Sequence, residues 1–378
     1  MQNHFPTTVR IIILNYLDTS LPGGISKVVS KLNSGLSEIG HVVKVIQPNK
    51  PQNPDSEFSG FRKGGLLSKF GIHHLHIGDM KSIGDEVSKF NPDVINIHGS
   101  RTFLSPIAVN WIKSNFPKIP IIYSPHHDSQ SGITFSGKYL FWIHKAILLK
   151  RAYENADAIT VCSDFERKQV EQCTHSDKNK IIRIPNGIDL EEVSGLKITD
   201  REKIILSAGY LFDLKGIDNT IRALRELHDR GHLEWKFIVC GEGPHSKKLK
   251  SLAKEIGVSD HIEWRGFVSR QELVSLINNS RVATLVSRSE NFGIFAAECL
   301  SMGVPTVVTK ITALAEFDWI EWCYFVDYPV NPSDLADKIV LASMAETTPI
   351  VSEKNIQSWD FVSKMMSDLI HKTISKNF

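Results

Sequence analysis

Cysteine, long apolar runs and an excess of one charge are all scarce in this chain. Its five cysteines among 378 residues are widely scattered, which argues against a zinc site or a disulfide framework and predicts reduced, mostly buried thiols. The formal net charge of +2 is close to balance. Nucleic acid is therefore not an expected partner.

Membrane, metal and dinucleotide signals are missing as well. No run of about eighteen apolar residues occurs, and the first residues lack the basic and apolar regions of a signal peptide. The chain contains no Asp-x-Asp pair and no G-x-G-x-x-G fingerprint after its first strand. We therefore expect a cytoplasmic, metal-independent protein without a cofactor.

The chain does contain a repeated alternation of apolar runs and helical patterns. Its length exceeds one comfortable hydrophobic core. Strands alternate with helices in both halves, which predicts an α/β fold of two doubly wound, Rossmann-like domains facing across a cleft. We predict a first domain over 1–190, a second over 200–355, and a last helix within 356–378 that could cross back to the first domain.

Two Ser-x-x-Glu sequences predict helix starts of the capping-box type. They are Ser163 with Glu166 and Ser269 with Glu272, where the serine side chain would accept from the backbone and the glutamate would reach back. Each follows a predicted strand within a few residues, so each marks a strand-to-helix connection.

One stretch places two carboxylates around a glycine at the end of a strand. The apolar run 282–286 leads to Glu290, Gly293 and Glu298, and the pattern after Gly293 is helical. In an open parallel sheet, such a loop lies where ligands bind, and the following helix offers free amide groups to an anion. Taken alone, the two carboxylates would more often be solvated surface charges.

Several short motifs follow one another along nearly the whole chain. They are Pro22-Gly23-Gly24, Asn186-Gly187-Ile188-Asp189, Lys215-Gly216, Gly241-Glu242-Gly243-Pro244, Gly266-Phe267-Val268 and the pair Glu290 and Glu298. Their order resembles that of the retaining glycosyltransferases of family four. The resemblance implies the GT-B fold, with an acceptor-binding first domain and a nucleotide-sugar-binding second domain.

The resemblance also implies a reaction: metal-independent, front-face transfer of a sugar from a nucleoside-diphosphate sugar to an acceptor hydroxyl, in cell-surface glycan or glycolipid synthesis. Glu298 would accept from ribose hydroxyls, Glu290 would meet the donor sugar, and Lys215 would neutralise the diphosphate leaving group. The other implied donor contacts are Glu242 and Phe267 at the nucleobase, the amides around Phe292, Gly293 and Ile294 at sugar or phosphate, and Tyr210 at the diphosphate.

In the first domain the resemblance implies two further contacts. Gly24 would let the first helix approach the diphosphate, and His126 would contact the donor sugar as a catalytic residue. From the residues alone, His126 and His127 could be plain loop residues or a helix-capping pair, although the place of His126 after a strand end favours a donor contact. His98 could be either an acceptor-site contact or a plain loop residue.

Tyr210 departs from the family pattern, which commonly has an arginine there. A tyrosine has no fixed charge, so Arg288 or Arg265 would have to supply it. The departure motivates a second interpretation, a non-catalytic nucleotide-sugar-binding relative; a nucleotide-sugar epimerase of the same fold is a third.

The acceptor, a glycan or a lipid-linked acceptor, is expected to contact the loops of the first domain, chiefly 48–79 and 127–137. The basic, aromatic segment 138–151 could lie on the inner face of a membrane, or it could be a helix packed on the core, which is the interpretation we favour.

Overall fold

The computed structural model describes residues 8–16, 23–47, 58–60, 77–100, 104–127, 144–174, 177–190, 201–350, 353–354 and 356–376. The chain divides into two compact units: a first unit of Met1–Pro185 with Trp359–Phe378, and a second unit of Asn186–Ser358. The first unit therefore ends several residues before position 190, and the last helix belongs to it.

The first unit is built on one parallel sheet. Its described strands are β1 (Arg10–Asn15), β2 (Val42–Gln47), β3 (Phe58–Gly60), β4 (Val94–His98), β5 (Ile121–Ser124), β6 (Ala158–Val161) and β7 (Ile181–Arg183). Their order in the sheet is β3-β2-β1-β4-β5-β6-β7. The connecting helices are α1 (Gly24–Glu38), α2 (Ile77–Phe90), α3 (Leu104–Asn115), α4 (Lys150–Asn155) and α5 (Asp164–Cys173).

The second unit repeats the plan. Its strands are β8 (Glu202–Ala208), β9 (Lys236–Cys240), β10 (Ile262–Gly266), β11 (Ser280–Leu285), β12 (Thr306–Thr309) and β13 (Cys323–Val326), all parallel in the order β10-β9-β8-β11-β12-β13. The helices are α6 (Ile217–Asp229), α7 (Ser246–Glu255), α8 (Arg270–Asn279), α9 (Ile294–Ser301) and α10 (Pro332–Ser343).

Alternate residues of each central strand of the second unit pack into separate cores. Phe237 and Val239 of β9 join the core formed with α6, α7 and α10. Ile238 and Cys240 of the same strand join the core that includes residues of α8 and α9. Because side chains alternate across a strand, helices cover both faces of the sheet, and the predicted pair of doubly wound, Rossmann-like domains is confirmed.

The strand order reverses beside the first strand of each sheet. In the first unit the reversal lies between β1 and β4, and in the second between β8 and β11. The carboxyl ends of strands at such a switch point are where doubly wound sheets bind ligands. The loops after β8 and β11 therefore occupy the position at which a ligand is expected.

Both predicted serine caps form, but the Glu166 carboxylate has partners other than the expected one. Ser269 Oγ accepts from the Glu272 amide at 3.2 Å, and Ser163 Oγ accepts from the Glu166 amide at 3.0 Å. The Glu166 carboxylate accepts instead from the amides of Cys162, at 2.7 Å, and His127, at 2.6 Å. It thereby ties the end of β5 to the start of α5.

The last helix, α11 (Trp359–Ser375), packs on α1 of the first unit. A side chain at Gly35 would overlap the Ser363 hydroxyl, so glycine allows the two helices to approach closely. His41 Nε2 lies 2.8 Å from Ser367 Oγ and adds a polar contact.

Part of segment 138–151 reaches the core of the first unit. It forms a π-helical turn, His144–Leu149, that continues into α4. Leu149 is buried together with Ala152 and Tyr153 of α4, whereas Ile147 is 53% exposed. Residues 138–143, most of 48–79 and 128–137 lie outside the described residues. Among the helices that the structure describes, none has both the length and the apolar character to cross a membrane.

Candidate functional site

Two charged residues predicted from the motif order meet at the switch point of the second unit. Lys215, in the loop after β8, forms an ion pair through Nζ with Oε1 of Glu290, in the loop after β11. Ser287 Oγ lies 3.3 Å from the same carboxylate oxygen. The side chains keep 28% and 13% of their surface exposed, so a ligand can still reach the pair.

A second ion pair joins the same two loops with the charges reversed. Arg288, after β11, contacts Asp213, after β8, with 2.7 Å between Nη2 and Oδ2. The Arg288 amide also donates to the Leu214 carbonyl at 2.8 Å. His245 Nδ1 lies 3.6 Å from the other Asp213 oxygen. Each loop thus contributes one cation and one carboxylate.

Arg265, the other candidate for the missing charge, points to different partners. Its Nε lies 2.7 Å from Glu263, and its Nη1 lies 3.6 Å from Glu272. These residues belong to β10 and α8. Of the two arginines proposed to replace the arginine missing at 210, only Arg288 contacts the loop that carries Lys215.

Glycine is required where these loops touch. Gly216 has φ 66°, and a side chain there would overlap the Val286 carbonyl. Gly241 has φ 125°, and a side chain there would overlap the Gly209 carbonyl. The fold alone therefore explains both motif glycines.

Aromatic side chains are exposed beside the charged loops. Tyr210 is 37% exposed, and its ring centroid lies 4.5 Å from that of Phe212. Phe267, after β10, is 55% exposed. Glu242, after β9, accepts from Ser246 Oγ at 3.2 Å. The hydrogen bond from the Leu211 amide to the Glu242 carbonyl, 3.0 Å long, holds the loops after β8 and β9 together.

The predicted glycine loop begins α9. Gly293 precedes the helix with φ 84°, and Ile294 is its first residue. Phe292 is buried against Phe317, with ring centroids 5.9 Å apart. The Phe292 ring is therefore a core group, and only the backbone of this stretch can offer the predicted amides to a ligand.

Glu298 is buried and has a partner that the sequence interpretation missed. Arg270 Nη1 lies 2.9 Å from Glu298 Oε1, and Arg270 Nη2 lies 3.8 Å from Asp189. A signal existed: Arg270 is the first residue of α8, where a cation is unfavourable against the helix dipole unless a carboxylate is near.

The two predicted residues of the first unit differ in how far the fold explains them. Gly24 is the first residue of α1, and a side chain there would meet no described atom within 4 Å. His126 has φ 47°, unusual for a residue with a side chain. Its Nε2 lies 3.0 Å from Nδ1 of the buried His98, and burial lowers the pKa of His126 from 6.5 to about 4.

Two family models match consecutive parts of the chain. Residues 22–192 match the model described as Glycosyltransferase Family 4, and residues 190–350 match that described as Glycosyl transferases group 1. Both parts of the chain thus match glycosyltransferase models, and its fold is GT-B. Among the described residues, no group of three or more histidine, cysteine or acidic side chains is arranged to hold a metal ion.

Relatives and solved structures agree with this family and fold. An uncharacterized glycosyltransferase, MJ1607 of Methanocaldococcus jannaschii, is 29% identical over 232 residues, which are 56% of this chain and 59% of that protein. The chain spans about half the length of the curated relatives it matches.

Structural similarity extends over almost the whole chain. Sucrose-phosphate synthase (tll1590) from Thermosynechococcus elongatus has a TM-score of 0.75 at 17% identity, over 97% of this chain and 100% of that one. Anabaena Alr3699/HepE in complex with UDP-glucose has a TM-score of 0.69 at 14% identity, over 97% and 98%. At these identities the likeness concerns the fold.

Proposed function

We propose that the glycosyltransferase moves a sugar from a nucleoside-diphosphate sugar to an acceptor hydroxyl with retention of anomeric configuration. The ion pair between Lys215 and Glu290 at the switch point carries this proposal. Negative charge grows on the diphosphate as the sugar leaves, and a cation already in place stabilises that charge. The second unit is then the donor-binding domain and the first unit the acceptor-binding domain.

Exchange of partners is the central step of the proposed mechanism. Lys215 turns from Glu290 to the diphosphate, and Glu290 then accepts from a hydroxyl of the sugar. Arg288 turns from Asp213 and serves as the second cation in place of the arginine missing at 210. Lys215 and Arg288 supply the positive charge, so we expect no requirement for a metal ion.

The transfer itself is proposed to proceed on one face of the sugar. The bond from the anomeric carbon to the phosphate oxygen breaks, and the acceptor oxygen bonds to the same carbon from the same side. The acceptor proton passes to the departing phosphate oxygen, so no enzyme nucleophile takes part. Both carboxylates of the site keep other tasks: Glu290 at the sugar and Glu298 at the ribose, where Arg270 orients it.

The other proposed donor contacts come from exposed residues of the second unit and from two residues of the first unit. Glu242 and Phe267 face the nucleobase, for which uracil is the first choice because the structurally similar Alr3699/HepE was solved with UDP-glucose. Gly24 permits close approach of α1 to the diphosphate, and His126 meets the sugar. We further propose that the acceptor is a glycan or a lipid-linked sugar of the cell surface, used in the cytoplasm or at the inner membrane face.

Release of nucleoside diphosphate tests the proposal. The protein is incubated in EDTA with UDP-glucose, UDP-galactose, UDP-N-acetylglucosamine or GDP-mannose and with alkyl glycosides as acceptors. We expect release of UDP or GDP from one of these donors and, by NMR, a product with the anomeric configuration of the donor. A strict requirement for Mn²⁺ or Mg²⁺, or an inverted product, would contradict the mechanism.

Lys215→Ala should lower kcat by about 10²–10³-fold, because it removes a charge that acts on the leaving group. Lys203→Ala is the matched control: Lys203 also pairs with a carboxylate, Glu234, but on the exposed surface of the second unit. It should change kcat by less than about twofold. Similar losses in both variants would remove Lys215 from the site.

Because Tyr210 stands where the family commonly has an arginine, the second candidate function is that of a non-catalytic protein that binds a nucleotide sugar. Such a protein would show a thermal shift with UDP, since a ligand that binds only the folded state stabilises it, yet would release no UDP from any donor. An epimerase, the third interpretation, would change the donor sugar without an acceptor.

A further inference from the structure

A chain of hydrogen bonds runs through the carboxyl ends of β4 and β5 in the first unit. Asn96 Oδ1 lies 2.6 Å from Nε2 of His98, and His98 Nδ1 lies 3.0 Å from Nε2 of His126. The two imidazole rings stack with 5.2 Å between their centroids. Asn96 and His98 are buried, whereas His126 is half-buried.

The direction of the first hydrogen bond is set by Asn96. Its Nδ2 donates to the Ile122 carbonyl at 3.1 Å and to Ser124 Oγ at 2.9 Å. A carbonyl oxygen only accepts, so the amide cannot be turned around without placing two oxygens against each other. Oδ1 of Asn96 therefore faces His98, and Nε2 of His98 must carry the hydrogen.

The direction of the second bond follows from the neutral state of His98. Burial, with a smaller contribution from His126, lowers the pKa of His98 well below its ordinary value, so the ring carries one proton at neutral pH. That proton is on Nε2, and Nδ1 presents a lone pair. Nε2 of His126 must then be the donor, which leaves the lone pair of His126 on Nδ1.

We infer that Asn96 and His98 are positioning residues that fix the tautomer of His126, so that its Nδ1 accepts a hydrogen bond from a sugar hydroxyl. Among the described residues, none forms a hydrogen bond with this Nδ1. The left-handed backbone of His126 is a conformation that persists only where surrounding structure enforces it, and such residues cluster at functional sites.

This polarity selects the chemistry of the ligand. A lone pair attracts the hydrogen of a hydroxyl and repels the oxygens of phosphate, so His126 serves the sugar and not the diphosphate. The tautomer is a property of the free protein, whereas the sugar contact rests on the proposed function. Two measurements therefore separate the two ideas.

The tautomer is measured by long-range ¹H–¹⁵N NMR of protein labelled at histidine. We expect Nε2 of His126 to be protonated and Nδ1 unprotonated, and the loss of signals in His126→Gln makes the assignment. His228, whose Nε2 lies 3.1 Å from the Trp235 carbonyl and must donate to it, is an internal reference for this tautomer. A proton on Nδ1 of His126 would overturn the inference.

His98→Phe keeps a buried aromatic ring and removes the acceptor. The signals of His126 should then move from the single pattern shared with His228 toward a mixture of tautomers, as for exposed histidines. An unchanged His126 spectrum in a folded His98→Phe protein would also overturn the inference. If this variant does not fold, the wild-type spectrum decides.

Titration with UDP-glucose and with UDP tests the contact. UDP-glucose should shift the Nδ1 resonance of His126, and UDP should leave it in place; equal shifts would overturn the role at the sugar. Failure of both to bind would count against the proposed donor, and the tautomer spectrum alone would then decide this inference.

Discussion

At the residue scale, both cationic side chains of the candidate site form ion pairs with carboxylates. Lys215 rests on Glu290 and Arg288 on Asp213, and all four side chains keep some exposed surface. Such partly exposed pairs contribute at most about 1 kcal/mol each. In the proposed mechanism a diphosphate therefore displaces the carboxylates at little cost, and the ion pairs keep the cations ordered until the ligand binds.

Arg288→Ala should weaken UDP binding by about tenfold or more, because a charge-assisted contact to phosphate is lost. Arg265→Ala, the matched control on β10, should have less than about a twofold effect. Restoring the family arginine as Tyr210→Arg in the Arg288→Ala protein should recover much of the affinity. Isothermal titration calorimetry with UDP and UMP measures these differences, which should be largest for UDP.

The carboxylate left behind needs its own control. Arg288→Ala leaves Asp213 with His245 alone, and its negative charge would repel a phosphate. Asp213→Ala added to Arg288→Ala removes that repulsion. Full recovery in this double variant would mean that Arg288 only masks Asp213 and contributes no contact of its own.

The histidine pair makes the stability depend on pH. Burial lowers the pKa values of His98 and His126, so the unfolded chain binds these protons more readily than the folded protein. Stability should therefore be full above about pH 6.5 and should fall as the pH falls from 6.5 toward 4.

Urea unfolding at pH 7 and pH 5 measures this dependence. The loss between the two values should be smaller in a protein that carries both His98→Phe and His126→Gln. His41, whose pKa burial also lowers, remains in both proteins and contributes equally to each. An identical pH dependence in the two proteins would contradict the assignment.

Motif order was enough to bring Lys215 and Glu290 together, and their side chains do form an ion pair, because each belongs to a short motif that can be recognised in the local sequence. The contacts of Arg270 and of the Glu166 carboxylate were not predictable in the same way. The position of Arg270 at the start of α8 indicates that a carboxylate lies near, but not that it is Glu298 or Asp189, which belong to other segments. Nothing in the sequence around His127 indicates that its amide meets Glu166. The hydrogen bond from the His127 amide to Glu166 forms because β5 and β6 are neighbours in the sheet and end at the same edge.

At the element scale, the strands and most helices of the described chain follow their apolar periodicity. The clearest omission is α2, whose first residues fall in the stretch 48–79, which was predicted as a loop. Gly84 weakens its helical pattern. In the structure a side chain at Gly84 would come within 2.6 Å of the Trp111 ring on α3. The glycine that weakens the helical pattern in the sequence therefore also allows α2 to pack against α3.

Two glycines that begin helices should respond to alanine in opposite ways. Gly216→Ala forces a left-handed residue against the Val286 carbonyl and should destabilise the protein by at least about 2 kcal/mol. Gly24→Ala meets no described atom and should leave the stability unchanged or raise it by up to about 1 kcal/mol, while lowering activity if α1 approaches the diphosphate. Urea unfolding and UDP release measure the two effects; normal activity in Gly24→Ala would remove Gly24 from the site.

At the scale of the whole molecule, alternation of strands and helices predicted the two parallel sheets, but the partner of α11 stayed open. An amphipathic pattern shows which face of a helix is buried and not what buries it. The partner is set by Gly35 and Ser363, whose small size permits close packing of α1 and α11, and by the contact of His41 with Ser367.

The second unit should fold by itself. It is one continuous segment, and its ends meet, since Ile188 pairs with Ser358 and its amide donates to the Gln357 carbonyl at 2.9 Å. Residues 186–358 expressed alone should unfold cooperatively in urea, whereas residues 1–185, which lack α11, should not. A cooperative transition for 1–185 equal to that of a chain with α11 attached would contradict this.

The return of α11 to α1 also sets an order of events on the ribosome. The first unit is encoded first, yet its core beside α1 stays open until the residues after 358 have left the exit tunnel. By then the whole of the second unit has been synthesised and is able to fold. The helix that is synthesised last, α11, should thus complete the first unit. A ribosome stalled before α11 should carry a folded second unit and an incompletely folded first unit.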